Sequence, residues 1–445
     1  MKKFYLSIIF LLPLICPSLV AQKKINLTLE QCIKLALENN HDLKQVKLDK
    51  EKADEQIRQA FGESVLPSIE GIASYNRALK RPEFSMETPF FSGTFPSGTD
   101  HTLTTGIQLE QPLFTGAMFL SVKIAKTYAE IANYSLVYSQ SDLILKVKDA
   151  YYTYLLSKEF VTLAELQLKR AEENFSVTKA MYNTGKVSEY DFIRADVQYK
   201  NYIPGLTEAK NQVKLAANNL KILLGLNLDN EVVINESLTP KEFKSTAQDE
   251  GIKNIIQRNP LLKQMNLKKE FSNYSEAYQF TRHLPEITLF GNWQSQAQEN
   301  NPRNFFDWRY KNSFSMGLNL RVPIFKGFSI DSKVQQAQID LKKADEDLIK
   351  TKNNLLNDLE NTLLTIQKTK EQSSSYQAAV DQTEKGYQIA QKRYSSGMSS
   401  QLEITDALVE VTRAKVNYLN SLYQLYVLHA RLDLLFGLSL DEISH

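Results

Sequence analysis

The sequence predicts a mainly helical protein with a small antiparallel β part, built twice on one plan and completed only by association with other chains. Three observations predict it. Two stretches can form helices of unusual length, four segments of about ten residues alternate polar and apolar, and five short anchors recur in order at a near-constant offset.

The N-terminus reads as an export signal. Lys2 and Lys3 precede an apolar run from Phe4 to Cys16, followed by Pro17-Ser18-Leu19-Val20-Ala21 and Gln22. A basic start, an apolar stretch too short to anchor and a small residue at its end place cleavage after Ala21, so residues 1–21 are the signal. Lipidation at Cys16 is disfavoured by Ile15 before it and Pro17 after it. Cleavage removes both lysines, taking the formal charge from +2 to zero, and leaves Cys32 as the single thiol. An intrachain disulfide is then excluded, so stability must come from packing or assembly.

Composition narrows the function classes. With 53 Lys+Arg against 51 Asp+Glu, no basic excess exists to displace counterions from phosphates, and nucleic acid is not an expected partner. A mean hydropathy of −0.35 and the lack of any apolar run of ~20 residues after the signal exclude a helical membrane bundle. They do not exclude a β-barrel, whose strands alternate and look hydrophilic on average. Glycine, at 16 of 445 residues, is scarce enough to favour long uninterrupted helices.

The repeat organises the chain. Asn40-His-Asp-Leu43 recurs as Asn259-Pro-Leu-Leu262, and Leu66-Pro67-Ser-Ile69 as Leu284-Pro285-Glu-Ile287. Pro112-Leu-Phe114-Thr-Gly116 recurs as Pro323-Ile-Phe325-Lys-Gly327, Tyr182-Asn-Thr-Gly185 as Tyr394-Ser-Ser-Gly397, and Leu224-Gly225-Leu226 as Phe436-Gly437-Leu438. The offsets run from 211 to 219 residues. A tandem duplication is the expectation: residues 22–226 form one copy and 250–445 the other. Residues 227–249 join them and hold a short strand candidate, Val232-Val233-Ile234.

Each copy reads as a helix, two strands and two long helices. Strands are expected over residues 66–77 and 102–114, then 284–296 and 312–323. Ile69, Gly71, Ala73 and Tyr75 share one face, as do Leu103, Ile107 and Leu109, Ile287, Leu289 and Trp293, and Phe314, Met316, Leu318 and Leu320. Their other faces are polar, with Ile72 the exception. Such alternation marks membrane-barrel strands, although half-buried hairpins on a soluble core carry it too. The segments from Leu79 to His101 and from Ala297 to Lys311 read as loops.

The long helices are expected over residues 118–183 and 188–224, then 329–395 and 400–436. Val147, Tyr154, Val161, Leu168, Phe175 and Tyr182 recur every seventh residue, with Ala150, Ser157, Ala164, Ala171 and Thr178 three positions after them. Large-small alternation at heptad spacing lets helices pack closely along their length. Residues 118–183 would span ~99 Å at ~1.5 Å per residue; the return helix and the helix from about Asp42 to Phe61, stacked, would span ~86 Å. Two helical columns of comparable height follow. Four strands cannot close a barrel, and open edges are not tolerated in lipid. Two chains would supply eight strands and three would supply twelve.

These residues resemble the TolC-like outer-membrane efflux family over essentially the whole mature chain. The likeness rests on the duplicated strand ends (Pro112 to Gly116, Pro323 to Gly327) and Tyr-x-x-Gly turns (Tyr182 to Gly185, Tyr394 to Gly397). It implies a homotrimer with a 12-stranded β-barrel in the outer membrane lipid and a periplasmic tunnel of long helices. It also implies an exit duct for an inner-membrane efflux pump or ABC exporter, joined through a periplasmic adaptor. The family places acidic rings at the tunnel mouth on positions matching Glu403 and Asp406, and an aspartate matching Asp191 bonded to a tyrosine matching Tyr394. Gly185 and Gly397 match the helix-turn tips that contact the adaptor. Where some members carry a gating arginine, this chain has Ser399. On spacing alone Glu403, Asp406, Asp191 and Tyr394 read equally as ordinary helix residues.

No cofactor, metal or catalytic chemistry is expected. His41, His101, His283, His429 and His445 lack ligand spacing, and the chain has no phosphate-binding glycine loop and no nucleophile elbow. The competing function is an exported coiled-coil scaffold without a pore. A scaffold has no need of four alternating strands.

Overall fold

The computed structural model describes residues 24–241, 243, 248–300 and 304–437. The expected signal, its cleavage point and Cys16 lie outside them. In chain order β1 (Lys24–Asn26) leads into α1 (Leu29–Asn39) and α2 (His41–Val65). Strands β2 (Ser68–Arg77), β3 (Glu83–Thr88), β4 (Phe91–Pro96) and β5 (His101–Phe114) precede the helices α3 (Met118–Asn183) and α4 (Glu189–Leu223). After β6 (Glu231–Val233) come α5 (Gln248–Arg258), α6 (Pro260–Phe280), β7 (Glu286–Glu299), β8 (Tyr310–Arg321), α7 (Ser329–Ser395) and α8 (Gln401–Phe436). No described helix is long and apolar enough to cross a membrane.

The chain forms two compact units. One takes the chain up to Asn40, Lys146–Lys241 and Thr369–Val427; the other takes His41–Leu145, Glu242–Lys368 and the chain from Leu428.

The second unit holds the sheet, an antiparallel ladder in the order β2-β5-β7-β8. Its register converts the alternation of single strands into rows. Ile69 pairs with Leu109, Leu109 with Gly291, and Gly291 with Met316. One step along, Gly71, Ile107, Trp293 and Phe314 line up. The opposite face carries Glu70, Gln108, Asn292 and Ser315 in one row, and Ser74, Thr104, Gln296 and Lys311 in another. One face is thus largely apolar and exposed while the other is polar, the arrangement of a strand set between lipid and water. Two large apolar residues on the polar face are accounted for by their partners. Ile72 pairs with Gly106 and Phe290 with Gly317, and a Cβ on Gly317 would sit 2.8 Å from the Phe290 ring. Each side chain fills the space that its glycine leaves.

The reading of residues 79–101 as a loop is corrected. β3 and β4 pair there as a hairpin, and bonds from Ala78 N to Asp100 O (2.8 Å) and Ser97 N to Pro82 O (2.7 Å) continue the β2–β5 ladder into it. Phe84, Met86, Phe91 and Phe95 share one side, and Glu83, Ser85, Glu87 and Thr94 the other. Period-2 alternation was present in this stretch, but prolines and serines masked it. At the foot of the hairpin Tyr75 Oη hydrogen-bonds His101 Nδ1 at 2.7 Å. The Tyr75 ring also meets Phe305 edge-on and His101 meets Trp308, a cluster of the kind that girdles barrels at the membrane interface.

Helices of this unit pack around Ile255, Leu262, Leu355, Leu359, Leu432, Leu435 and Phe436. The helix expected from Asp42 to Phe61 runs from His41 to Val65, and α1 precedes it. In the first unit α1 opens with a capping box. Thr28 Oγ1 accepts from Gln31 N, and the Gln31 side chain accepts from Thr28 N, satisfying donors that the first turn leaves free. The Val232-Val233-Ile234 candidate becomes β6, which pairs in parallel with β1, a strand that alternation over three residues was too short to reveal. Cys32 is fully buried, and burial with the nearby Glu236 charge pushes its thiol up to about 12. Alkylation by maleimide at pH 8 should therefore leave Cys32 unmodified in the folded chain and modify it once denatured, as read by mass spectrometry. Modification of the native chain would contradict this burial.

The same joint occurs once in each unit. Asn40 Nδ2 donates to Leu223 O at 3.0 Å, beside Gly225, whose φ is +65°. Asn259 Nδ2 donates to Leu435 O at 2.9 Å, beside Gly437, whose φ is +63°. Both glycines end a long helix in the left-handed conformation that a side chain resists. Both also face backbone: a Cβ would lie 2.5 Å from Asn39 O at Gly225 and 2.9 Å from Arg258 O at Gly437.

Candidate functional site at the helix turns

The expected site residues lie in the first unit, at two helix turns. Gly185 closes α3 and Gly397 closes α7, with φ of +70° and +75°. Lys186 N bonds Met181 O at 2.9 Å and Met398 N bonds Arg393 O at 2.8 Å. This six-to-one closure meets carbonyls that a helix end leaves orphaned. Nothing lies within 4 Å of a Cβ at either glycine, so here the backbone angle, not space, selects glycine.

Each returning helix starts on a serine. Ser188 Oγ accepts from Asp191 N at 3.1 Å and donates to Asp191 Oδ2 at 2.7 Å. Ser400 Oγ accepts from Glu403 N at 3.3 Å. Carboxylates in a first turn are favoured by the helix dipole, which accounts for Asp191 and Glu403 without any further role. Glu403 is half-buried and lies 3.6 Å from Arg393 Nη1, while Asp406, one turn on, is exposed. Three residues apart, the two carboxylates share a face of α8.

Tyr394 is buried in a core with Tyr387, Ile404, Leu408 and Val411. Its hydroxyl meets Thr178 Oγ1 at 2.8 Å, and Thr178 also reaches Gln401 Oε1 at 3.4 Å. Within this chain Asp191 is engaged by Ser188 and Tyr394 by Thr178, so the two do not bond each other here. Position 178 entered the sequence reading only as a small residue in the seam. Burial and the Asp191 charge push the Tyr394 hydroxyl up, against the Thr178 bond that lowers it. Ser399 presents a buried hydroxyl where an arginine side chain would need room.

Several strong contacts had no sequence signal. Arg170 on α3 pairs with Glu384 on α7, and Lys415 on α8 lies 3.2 Å from the same carboxylate. Burial pushes the Glu384 carboxyl up, but the bonds and charges of Arg170 and Lys415 outweigh it and hold the group below its ordinary value. That stabilisation is present at neutral pH and is lost as pH falls through the lowered value. Nothing in sequence ties residue 170 to residue 384. Phe175, Tyr182, Phe192 and Tyr199 stack where α3 and α4 meet, and of these only Phe175 and Tyr182 stood out by heptad position. Among the described residues no three His, Cys, Asp or Glu side chains are grouped to hold a metal.

The pattern of the Outer membrane efflux protein family matches residues 32–226 and again residues 251–438. Outer membrane protein TolC of Vibrio cholerae serotype O1 is 22% identical, over 88% of this chain and 87% of that protein. Alkaline protease secretion protein AprF of Pseudomonas aeruginosa is also 22% identical, over 87% of this chain and 81% of that protein. The CmeC outer membrane channel of Campylobacter jejuni superposes with a TM-score of 0.75 at 21% identity, covering 92% of this chain and 85% of the other. A mostly helical fold with a small antiparallel β part, two glycine turns leading into serine-started helices and a doubled family match converge: the chain belongs to the outer membrane efflux protein family.

Proposed function

We propose that this chain is the outer-membrane exit duct of a tripartite efflux or type I secretion system. In this reading it works as a homotrimer whose three sheets close a 12-stranded barrel in outer-membrane lipid. One observation carries the reading: the sheet has an apolar face, a polar face and, among the described residues, two unpaired edges, on β2 and β8. Lipid tolerates a sheet only when its edges are closed, and neighbouring copies supply the missing edges. Half-exposed apolar residues on α4 (Ile193, Val197) and α8 (Leu402, Val409) offer further seams between copies.

The doubled joint supports reading residues 22–226 and 250–445 as two copies, with residues 227–249 as connector. The names of the relatives, one a secretion protein and another a toluene efflux pump outer membrane protein, support partners in the periplasm and inner membrane. An adaptor would meet the turns at Gly185 and Gly397, and a pump would supply the energy. Glu403 and Asp406 then stand three times each around the mouth. Carboxylates so gathered attract cations.

Planar bilayers test the reading. The native protein should conduct, and divalent cations on the mouth side should block it. Glu403→Ala with Asp406→Ala should weaken that block by about tenfold or more, the loss of the charges that concentrate cations at a constriction. Unchanged block would remove these residues from the mouth, and a native protein that never conducts would sink the duct itself.

A further inference from the structure

Cationic side chains from two helices meet at one carboxylate on a third in the first unit. Arg170 of α3 addresses Glu384 of α7 with both terminal nitrogens, Nη2 toward Oε1 and Nη1 toward Oε2 at 3.4 Å. Lys415 of α8 adds its ammonium at 3.2 Å from Oε2. The Arg170 guanidinium also lies over the Tyr387 ring, 4.5 Å from its centroid, and Tyr387 is part of the core that buries Tyr394. One turn away, Gln167 Nε2 of α3 donates to Thr412 Oγ1 of α8 at 2.8 Å. A fork-to-fork arginine–carboxylate pair is stronger and more directional than a neutral hydrogen bond, and stacking on an aromatic face adds to it.

The helix turns hold a weaker tie. There α3 meets α7 through the neutral Thr178–Tyr394 bond, and Asp191 takes no part. Arg170 precedes Thr178 by eight residues, so the charged cluster sits ~12 Å along α3 from that bond at ~1.5 Å per residue. The side chains of Arg170 and Glu384 are only 14% and 25% exposed, which limits screening by salt.

We propose that Arg170, Glu384 and Lys415 form the clamp that holds α7 and α8 against α3 and so positions the mouth at rest. The inference rests on the duct reading for its consequence, but not for its geometry. The three residues are positioning residues: cargo does not touch them, and they act by fixing the helices that bear Tyr394, Glu403 and Asp406. Because the pair is intramolecular and bidentate, removing either end frees α7 from α3 while the aromatic core of the hairpins persists.

Two readouts on the full-length protein separate the clamp from the duct. Spin labels at Ser176→Cys on α3 and Gln391→Cys on α7, both exposed, report their separation by pulsed electron resonance; buried Cys32 is out of reach of the label. The native chain should give one narrow distance distribution. Arg170→Met and Glu384→Gln should each broaden and lengthen it, and Arg170→Lys, which keeps the charge but loses the fork and the aromatic stack, should fall between these variants and the native chain. In planar bilayers the first two variants should raise single-channel conductance severalfold, with circular dichroism and assembly unchanged. A distance distribution that stays native in Arg170→Met and Glu384→Gln overturns the clamp, whatever the conductance. If the distances widen and neither native nor variant protein conducts, the clamp stands and the duct reading fails.

Discussion

Gly225→Ala is expected to destabilise the first unit by about 2–5 kcal/mol, and Gly437→Ala should do the same to the second. Two costs add at each site. The left-handed backbone disfavours any Cβ by about 1–2 kcal/mol, and overpacking typically costs about 1–3 kcal/mol. The contact at Gly225 is with backbone, the Asn39 carbonyl oxygen at 2.5 Å, so no flexible side chain can swing away. Relief would have to come from moving α1 relative to the end of α4, which would stretch the Asn40–Leu223 bond. Denaturant unfolding followed by circular dichroism reads the effect as a lowered midpoint. Gly62→Ala and Gly386→Ala are the internal controls. Both glycines sit inside helices with nothing within 4 Å of a Cβ, and alanine there should stabilise by about 0.5–1 kcal/mol. A Gly225→Ala midpoint as high as that of the controls would mean that the joint gives way easily.

The second large effect concerns the two faces of the sheet. Leu109 stands mid-sheet between Ile69 and Gly291 on the apolar face, and Gln108 points to the other side. Leu109→Arg should cost about 2–4 kcal/mol, the range for a cation on the lipid face near the midplane of a barrel. Gln108→Arg, one residue away, should cost less than about 1 kcal/mol, because the bore of the proposed barrel would solvate the charge. Urea unfolding in lipid vesicles measures both, and near-equal losses would show that these faces do not divide lipid from water. Adjacent residues in one strand with opposite outcomes are hard to explain by propensity, which differs little between them.

Much of this fold was legible because its signals are periodic. The helices expected over residues 118–183 and 329–395 correspond to α3 and α7, and alternation marks the four strands of the sheet. The anchors were legible as repeats but not as contacts. Asn40 and Leu224-Gly225 each recurred in the second half, yet only folding shows that they meet each other, once in each unit. Elements held by pairing rather than pattern stayed hidden: β1 exists because β6 lies beside it, and β3 with β4 because two irregular segments extend a ladder already begun. At the candidate site the turns and the first-turn carboxylates could be read directly. The partners of Tyr394 and Arg170 could not, since a threonine 216 residues away and a glutamate 214 away leave no local trace. Within the chain, packing gives Tyr394 a threonine partner.

The unpaired edges of β2 and β8 have a consequence for how the protein is made. Within one chain the helices can satisfy every ladder they need, but the sheet cannot. A newly exported chain travels with two rows of unmet backbone donors and acceptors beside an exposed apolar surface, the features that invite strand addition by the wrong partner. In the oligomer proposed above, helix formation is first-order in chain and closure of the sheet is not. The productive route and the misassembled one therefore compete for the same edges and respond differently to concentration. Expression level, and the supply of carriers that shield a strand edge in transit, should then govern yield more strongly than the stability of the helical part.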